Sequence, residues 1–215
     1  MKGTGKSSLT IKEFALASLF AAIIFLMTFT PFGFINLVVI NATIVHVPVI
    51  IGSILMGPRV GACLGGMFGL ASAIRNTISP TILSFAFSPL VAVPGAERGS
   101  PLAILICFLP RILVGIVPYY VRMFLGVVPL VKKSNVARLF LSGVAGSVTN
   151  TILVMHLLFF LFRDSFAQAR GVPVDAVYGL VLSIITANGI PEAIVAGIFA
   201  SGVCKAVDNY RNLPT

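Results

Sequence analysis

Long apolar runs with few charged residues restrict this 215-residue chain to a membrane-embedded fold. Six such runs occupy about residues 14–30, 42–57, 60–76, 101–125, 139–162 and 174–207. A helix needs about 20 mostly apolar residues to cross a bilayer. The pattern therefore predicts an all-α membrane protein in which one domain, residues 1–215, forms a bundle of six transmembrane helices with short loops.

The composition excludes an ordinary soluble protein. The chain is 58% hydrophobic and 10% charged, with a mean hydropathy of +1.06, whereas soluble domains carry about 25% charged residues. Six spans leave no room for a separate catalytic domain. The three cysteines, Cys63, Cys107 and Cys204, lie far apart and form no CxxC pair, so we expect them to be packing residues.

The Lys and Arg residues predict the orientation in the membrane. With both termini on the cytoplasmic side, ten of these residues lie inside and four outside, namely Arg75, Arg98, Arg163 and Arg170. This split follows the positive-inside rule. The net charge of +9 is therefore attributed to orientation, and we expect no nucleic-acid partner.

The start of the chain has partial similarity to a phosphate-binding loop and to a signal peptide. Gly3-Thr-Gly-Lys-Ser7 is similar to a phosphate-binding loop, but a preceding strand and the required glycine spacing are absent, so we interpret it as a solvated basic tail. The run at 14–30 follows a basic start, as in a signal peptide. No small-residue cleavage site follows it, which favours a retained first helix.

Arg111 is the most informative single residue. It lies near the middle of the fourth apolar run, directly after Pro110. A charged side chain at membrane depth costs several kcal/mol unless it faces a cavity or a partner. A planar guanidinium suits a carboxylate or phosphate on a solute. The alternative is a structural ion pair, for instance with Glu192.

Other polar side chains at membrane depth are candidates for the same site: His46, Asn76, Thr77, Thr149, Asn150, His156, Asn188 and Glu192. Asn150 and Asn188 can each donate to and accept from one polar solute. The alternative is that these residues are hydrogen-bonded packing residues. Two histidines give little support for zinc or haem, so no metal or cofactor is expected. No nucleophile set or close carboxylate pair is evident, which makes an intramembrane enzyme the weaker class.

Four glycines at a spacing of four residues, Gly57, Gly61, Gly65 and Gly69, predict a helix face that another backbone approaches closely. Packing within the chain is the simpler interpretation, and a docking face for a membrane partner is the sharper one.

The loops assigned to the outside are rich in apolar residues, including Phe85 and Phe87. Such loops are typical of a cover that excludes water from a bound solute. The alternative is that they rest on the bilayer interface.

Several motifs occur together between residues 42 and 90. These are His46-x-Pro-x-x-x-Gly52, Met56-Gly-Pro-Arg59 and Phe68-Gly-Leu-x-Ser72, followed by Asn76-Thr77 and Phe85-Ser-Phe-Ser-Pro89. The first helix adds Ala17-x-x-x-Ala21, and the last adds Asn188-Gly-Ile-Pro-Glu192. With these motifs the chain resembles the substrate-binding S components of energy-coupling factor (ECF) vitamin transporters.

The resemblance implies a six-helix S component in a bacterial cell membrane that binds one vitamin near the outer surface. It implies partners as well: a transmembrane coupling subunit, which the face with Ala17, Ser18 and Ala21 would contact, and two cytoplasmic ATPase subunits. ATP would be hydrolysed on those chains, so this chain is expected to be a transport subunit and not an enzyme.

Among S components, the sequence is most similar to those for pantothenate, with the cobalamin, folate and pyridoxine types close behind. Arg111 would bind the pantothenate carboxylate, and Asn76, Asn150 and Asn188 its amide and hydroxyl groups. His46, Thr77 and Phe85 complete the expected substrate site. A stand-alone secondary transporter stays open as an alternative, although the two halves show no convincing repeat.

Overall fold

The computed structural model describes residues 11–30, 34–37 and 40–211, which are almost entirely helical. The longer helices are α1 (Ile11–Phe29), α2 (His46–Met56), α3 (Pro58–Ile78), α4 (Leu102–Val114), α5 (Val117–Leu125), α7 (Asn135–Arg170), α8 (Val177–Ile184) and α9 (Ile190–Arg211). The short elements are β1 (Phe34–Leu37), β2 (Ile40–Thr43), a 3₁₀ turn at Ser84–Ala86, α6 (Pro129–Lys132), a 3₁₀ turn at Val174–Ala176 and a π turn at Ile185–Gly189. The Gly3–Ser7 segment lies outside the described residues.

Each of the six predicted apolar runs contains helix, although the second begins as strand and the fourth and sixth are divided. Three stretches are long and apolar enough to cross a membrane: Leu102–Leu125, Asn135–Arg170 and Val174–Asn209. Two shorter apolar helices cover Glu13–Phe29 and His46–Met56. Many large apolar side chains are exposed along these helices, among them Phe14, Phe124 and Phe160. An apolar exterior of this kind suits contact with lipid, and the predicted helical membrane protein is confirmed at this level.

Two apolar clusters form the interior. One joins α1, α2 and α3 to parts of α7 and α9 around Ile50 and Leu64. The other lies around Phe85, Leu158 and Phe166, where α4, α7 and α8 meet the 3₁₀ turn at Ser84–Ala86. The closest helix pairs are α7 with α9 and α3 with α4. The site described below lies against the α3–α4 pair.

The structure differs from the sequence-based expectation between residues 34 and 45. This segment was predicted to be a loop followed by a helix from residue 42, but β1 and β2 pair as an antiparallel hairpin in which Phe34 is opposite Thr43. The helix then begins at His46. The β-branched residues Ile40, Thr43 and Ile44 favour extended backbone, so the second helix is shorter than predicted.

Two of the predicted long helices are interrupted near glycine or proline residues in their own sequence. The fourth run divides into α4 and α5 around Gly115, and Pro118 lies in the first turn of α5. The last run contains the π turn, followed by Pro191 in the first turn of α9. Pro191 has no amide hydrogen for the carbonyl of Ala187, which favours a widened turn at this point.

The glycine stripe of α3 is a backbone contact within the chain. A Cβ atom on Gly61 would collide with the carbonyl oxygen of Gly115, and one on Gly65 with that of Arg111. The first glycine of the series, Gly57, instead adopts φ = +93° in the turn between α2 and α3, a conformation that glycine adopts at low cost. The stripe therefore brings α4, and Arg111 with it, directly against α3.

Candidate functional site

A small cavity lies between α1, α3, α4 and the segment that leads into α2. Its volume is about 250 Å³, slightly below the roughly 300–1,000 Å³ of clefts that hold drug-sized molecules. The lining residues are Thr28, Thr43, Val45, Phe68, Ser72, Arg75, Asn76, Ser79, Thr81, Phe87 and Arg111. This lining contains two arginines, several hydroxyl groups, one amide and two aromatic rings, but no carboxylate. The cavity is therefore suited to a small anionic solute with further polar groups.

Arg111 forms the polar centre of this cavity and is itself 6% exposed. Its guanidinium carbon lies 5.5 Å from the ring centre of Phe68 and 4.9 Å from that of Phe87. Both distances are within the range of cation–π attraction, which partly compensates a desolvated cation. One ring belongs to α3 and the other to the loop after it, so the guanidinium contacts both elements.

Pro110 leaves a backbone carbonyl without its helix donor, and this carbonyl positions Arg111. Proline has no amide hydrogen, so the helix bond from residue 110 to the carbonyl of Ile106 is absent. Arg111 Nη1 donates to this carbonyl oxygen instead, at 2.7 Å. The Ile106 carbonyl thus fixes the position of one guanidinium nitrogen of Arg111. Arg111 Nε has no hydrogen-bond partner among the described residues.

The structure does not pair Arg111 with Glu192, the ion pair considered from the sequence. Glu192 Oε1 accepts from the Thr43 amide at 2.7 Å. Within the described residues a salt bridge joins Arg122 to Asp208 at 3.1 Å, and no carboxylate there bonds to Arg111. A buried charge without its counterion is costly. An anionic group on a bound solute would compensate this charge.

Asn76 and Thr77 attach the loop after α3 to the cavity. Asn76 Oδ1 accepts from Ser84 Oγ at 2.6 Å, and Thr77 Oγ1 bonds to Ser88 Oγ at 2.7 Å. Ser84 and Ser88 are completely buried. These bonds fold residues 79–90 back over α3, so that Phe87 covers Arg111. Asn76 also lines the cavity, whereas Thr77 acts through the loop.

His46 and Asn150 add unsatisfied polar atoms to the same interior. His46 Nε2 bonds to Ser147 Oγ at 3.0 Å, and the ring lies close enough to Arg111 to interact with its charge. His46 Nδ1, Asn150 Oδ1 and Arg111 Nε are buried and have no hydrogen-bond partner among the described residues. Such atoms are uncommon in protein interiors. Of the three residues, only Arg111 lines the cavity.

Of the seven predicted substrate-site residues, Arg111 and Asn76 line the cavity, and His46, Thr77, Phe85, Asn150 and Asn188 are not among its lining residues. Phe85 packs edge-to-face on Phe162 in the second apolar cluster, with ring centres 5.6 Å apart. Asn188 lies half-buried in the π turn. Phe87 occupies the position against the solute cavity that sequence reasoning gave to Phe85.

The comparisons with known proteins identify the family. Residues 12–204 match the family described as ECF transporter, substrate-specific component. The chain belongs to this family. It is 37% identical over 173 residues to a protein of Lactococcus lactis subsp. cremoris named pantothenic acid transporter PanT, covering 80% of this chain and 81% of that protein. It is also 30% identical over 202 residues to the pantothenate transporter PanT of Leuconostoc mesenteroides subsp. mesenteroides, covering 89% and 90%.

The family confirms the identification made from the motifs at residues 42–90. The chain is an S component, a transport subunit located in the membrane, and the prediction that it is not an enzyme is confirmed. An S component is the substrate-specific part of an ECF transporter.

Four lining residues of this S component share one face of α3, and sequence reasoning identified only one of them as a site residue. Phe68, Ser72, Arg75 and Asn76 lie at positions i, i+4, i+7 and i+8, the spacing of one helix face. The spacing was visible in the sequence. With Asn76 as a site residue, this helical spacing predicts the other three as neighbours on the same face.

A second and larger depression lies on the face predicted to contact the coupling subunit. Its volume is about 560 Å³, and it runs between α1 and α3. Ala17, Ser18 and Ala21 line it from α1, and Arg59 and Met67 from α3. Ser18 is exposed, whereas Ala17 and Ala21 also pack on the first apolar cluster.

Proposed function

We propose that this S component binds pantothenate in the Arg111 cavity and delivers it inward with energy from partner ATPases. The observation that carries the proposal is Arg111: a buried cation that lines a cavity with several polar groups and bonds to no carboxylate of the described chain. The names of both relatives support pantothenate as the vitamin.

Pantothenate has groups that suit this lining. Its carboxylate would accept from the free edge of the Arg111 guanidinium, where a planar fork favours two parallel bonds. Its amide and hydroxyl groups would bond to Asn76 and Ser72, and its geminal dimethyl group would contact Phe68 and Phe87. Asn150 and His46 hold further unpaired polar atoms, but neither residue lines the cavity, so their contact with the vitamin stays a prediction from the sequence. A role for Asn188 stays a prediction from the sequence.

The cavity volume separates pantothenate from the alternatives that the sequence left open. Cobalamin and folate are much larger molecules than a space of about 250 Å³ can enclose. Pyridoxine is small enough, but it has no carboxylate for the cation at Arg111. A small anionic vitamin therefore suits both the volume and the charge.

We infer that the chain is a single membrane domain with six spans and both termini in the cytoplasm. The ten-to-four distribution of Lys and Arg supports this arrangement. In it, the end of α3 near Arg59 is cytoplasmic and the end near Arg75 is external. The cavity, lined by Arg75, Asn76 and Ser79, would then open toward the outer surface.

The α1 groove is the proposed contact with the transmembrane coupling subunit. Small residues allow close approach of another helix in a membrane, where close packing drives association. The groove lined by Ala17, Ser18 and Ala21 offers that surface on the cytoplasmic half of the proposed arrangement. Two cytoplasmic ATPase subunits would complete the transporter.

A binding panel tests the proposal. The purified S component, in detergent and without ATP, is titrated with pantothenate, pyridoxine, riboflavin, folate and cobalamin. We expect saturable binding of one pantothenate per chain and none of the others. Tight binding of another vitamin instead would overturn the substrate assignment. Vitamin uptake into liposomes by this chain alone would favour a secondary transporter.

A further inference from the structure

Glu192 is a buried acid that the proposed vitamin contacts leave unexplained. Glu192 is 8% exposed. It lies in the first turn of α9, within an apolar stretch long enough to span the membrane. An ionisable side chain at such depth is expensive and normally has a function. Arg111, the cation considered as its partner, bonds elsewhere.

The Glu192 carboxylate joins two distant parts of the chain. Its Oε1 accepts from the Thr43 amide at 2.7 Å, across 149 positions in sequence, and the Thr151 side chain contacts the same carboxylate. Thr43 is the last residue of β2, so this bond ties the end of the hairpin to α9.

The backbone around Glu192 is shaped to make this contact. The π turn at Ile185–Gly189 ends immediately before α9, and β2 packs against both elements. Gly189 lies against Thr151, where a Cβ atom would approach the Thr151 methyl carbon to 3.0 Å. π turns within helices frequently occur at functional sites. Here the turn and Pro191 rotate Glu192 toward Thr43.

The segment held by Glu192 is a wall of the vitamin cavity. Thr43 and Val45 both line the cavity opposite Arg111, and His46 begins α2 one residue later. We propose that Glu192 is a positioning residue that holds this wall closed through the Thr43 amide and thereby slows release of the bound solute. The inference rests on the proposed function of the cavity.

The test compares Glu192→Leu, which removes the acceptor, with Glu192→Gln, which keeps an acceptor oxygen without the charge. Purified variants are loaded with labelled pantothenate and chased with excess unlabelled pantothenate. We expect the dissociation rate of the Leu variant to rise about tenfold, with an association rate close to that of the wild type. The Gln variant should stay within about threefold of the wild type.

Amide hydrogen exchange without solute provides the readout that a general loss of stability would not reproduce. In Glu192→Leu, exchange should accelerate in the peptide that contains β2, while peptides of α3 and α4 keep their wild-type rates. Glu97→Leu removes a carboxylate from an exposed loop position and serves as the matched control, with no expected change. If the Leu variant does not fold, Glu192→Ala removes the same acceptor without adding bulk.

The outcomes separate this inference from the proposed function. Wild-type dissociation rates in both the Leu and Ala variants would overturn it, as would faster dissociation with unchanged exchange in β2. Equal losses in the Gln and Leu variants would also contradict it, because Gln retains the bond. Failure of the wild-type protein to bind pantothenate would instead refute the proposed function, and the exchange data would still report whether Glu192 holds β2.

Discussion

Pro110 and Arg111 show how two adjacent residues create a binding group inside a membrane helix. Proline leaves the carbonyl of Ile106 without its helix donor, and the next residue provides a replacement through its side chain, at 2.7 Å. The rings of Phe68 and Phe87 both lie within cation–π distance of the guanidinium. The unpaired Ile106 carbonyl and the buried Arg111 guanidinium would each be unfavourable alone, and the hydrogen bond between them reduces both costs.

This arrangement predicts an unusual effect of Pro110→Ala. Alanine restores the amide donor to Ile106 and removes the roughly 3 kcal/mol that proline costs within a helix, so the thermal unfolding temperature should stay the same or rise. Arg111 loses its acceptor, and pantothenate should bind about tenfold more weakly. Calorimetric titration and a melting curve measure the two quantities.

Pro129→Ala is the matched control, because Pro129 is exposed and lies in the first turn of α6, where its amide would be unpaired anyway. It should leave affinity unchanged. Parallel losses of stability and affinity in Pro110→Ala would contradict the proposed role of the Ile106 carbonyl.

At the residue scale, the sequence predicted the charged centre but not its surroundings. Arg111 is identifiable because a lone cation in an apolar run needs a reason to be there. Which ring of Phe85 and Phe87 covers it depends on the 3₁₀ turn at Ser84–Ala86 and on the Asn76–Ser84 bond. Irregular loops have no fixed side-chain period, so the sequence could not distinguish the two rings.

At the element scale, the contact between α3 and α4 sets the position of the site. Gly65 lies against the backbone of Arg111 and Ile112, where a Cβ atom would have no room because rigid main-chain atoms would have to shift. The neighbouring Gly66 has open space. Two adjacent glycines in one helix therefore have different roles, and the pair provides an internal comparison.

We expect Gly65→Ala to push α4 away from α3, to reduce the free energy of unfolding by about 1–3 kcal/mol and to weaken pantothenate binding by displacing Arg111. Gly66→Ala should be neutral or stabilise the helix by up to about 1 kcal/mol. Unfolding in denaturant and equilibrium binding measure both effects. Similar behaviour of the two variants would show that the close approach at Gly65 does not matter.

Most helical elements could be predicted from the apolar runs, because three stretches are long and apolar enough to cross a bilayer and two shorter helices are apolar as well. The fifth run was predicted to end at residue 162, but α7 is only kinked at Phe162 and continues to Arg170. The hairpin at Phe34–Thr43 and the π turn at Ile185–Gly189 were not predicted. Both depend on tertiary contacts, such as the Glu192–Thr43 bond, that no local pattern contains.

At the scale of the whole molecule, the vitamin cavity and the α1 groove have no lining residue in common. This separation predicts that binding of the solute and assembly with the coupling subunit can be impaired independently. Ser18 is the most suitable probe, since it is exposed in the groove and Ala17 and Ala21 pack on the core.

Ser18→Trp should fill the groove and reduce recovery of the coupling subunit in co-purification by about tenfold or more, with unchanged pantothenate affinity. Ala15→Trp places the same side chain at an exposed position of α1 outside the groove and should assemble normally. Normal assembly of Ser18→Trp would place the partner contact elsewhere on the molecule.

We propose that the buried Arg111 cation recognises the carboxylate of the vitamin. This can be tested by measuring the affinity of wild type and Arg111→Ala for pantothenate and for pantothenol, which has an alcohol in place of the carboxylate. We expect a loss of roughly 100-fold for pantothenate and less than about threefold for pantothenol, with Arg98→Ala unchanged. Equal losses for both ligands would contradict it, because Arg111 would then support the fold rather than bind the anion.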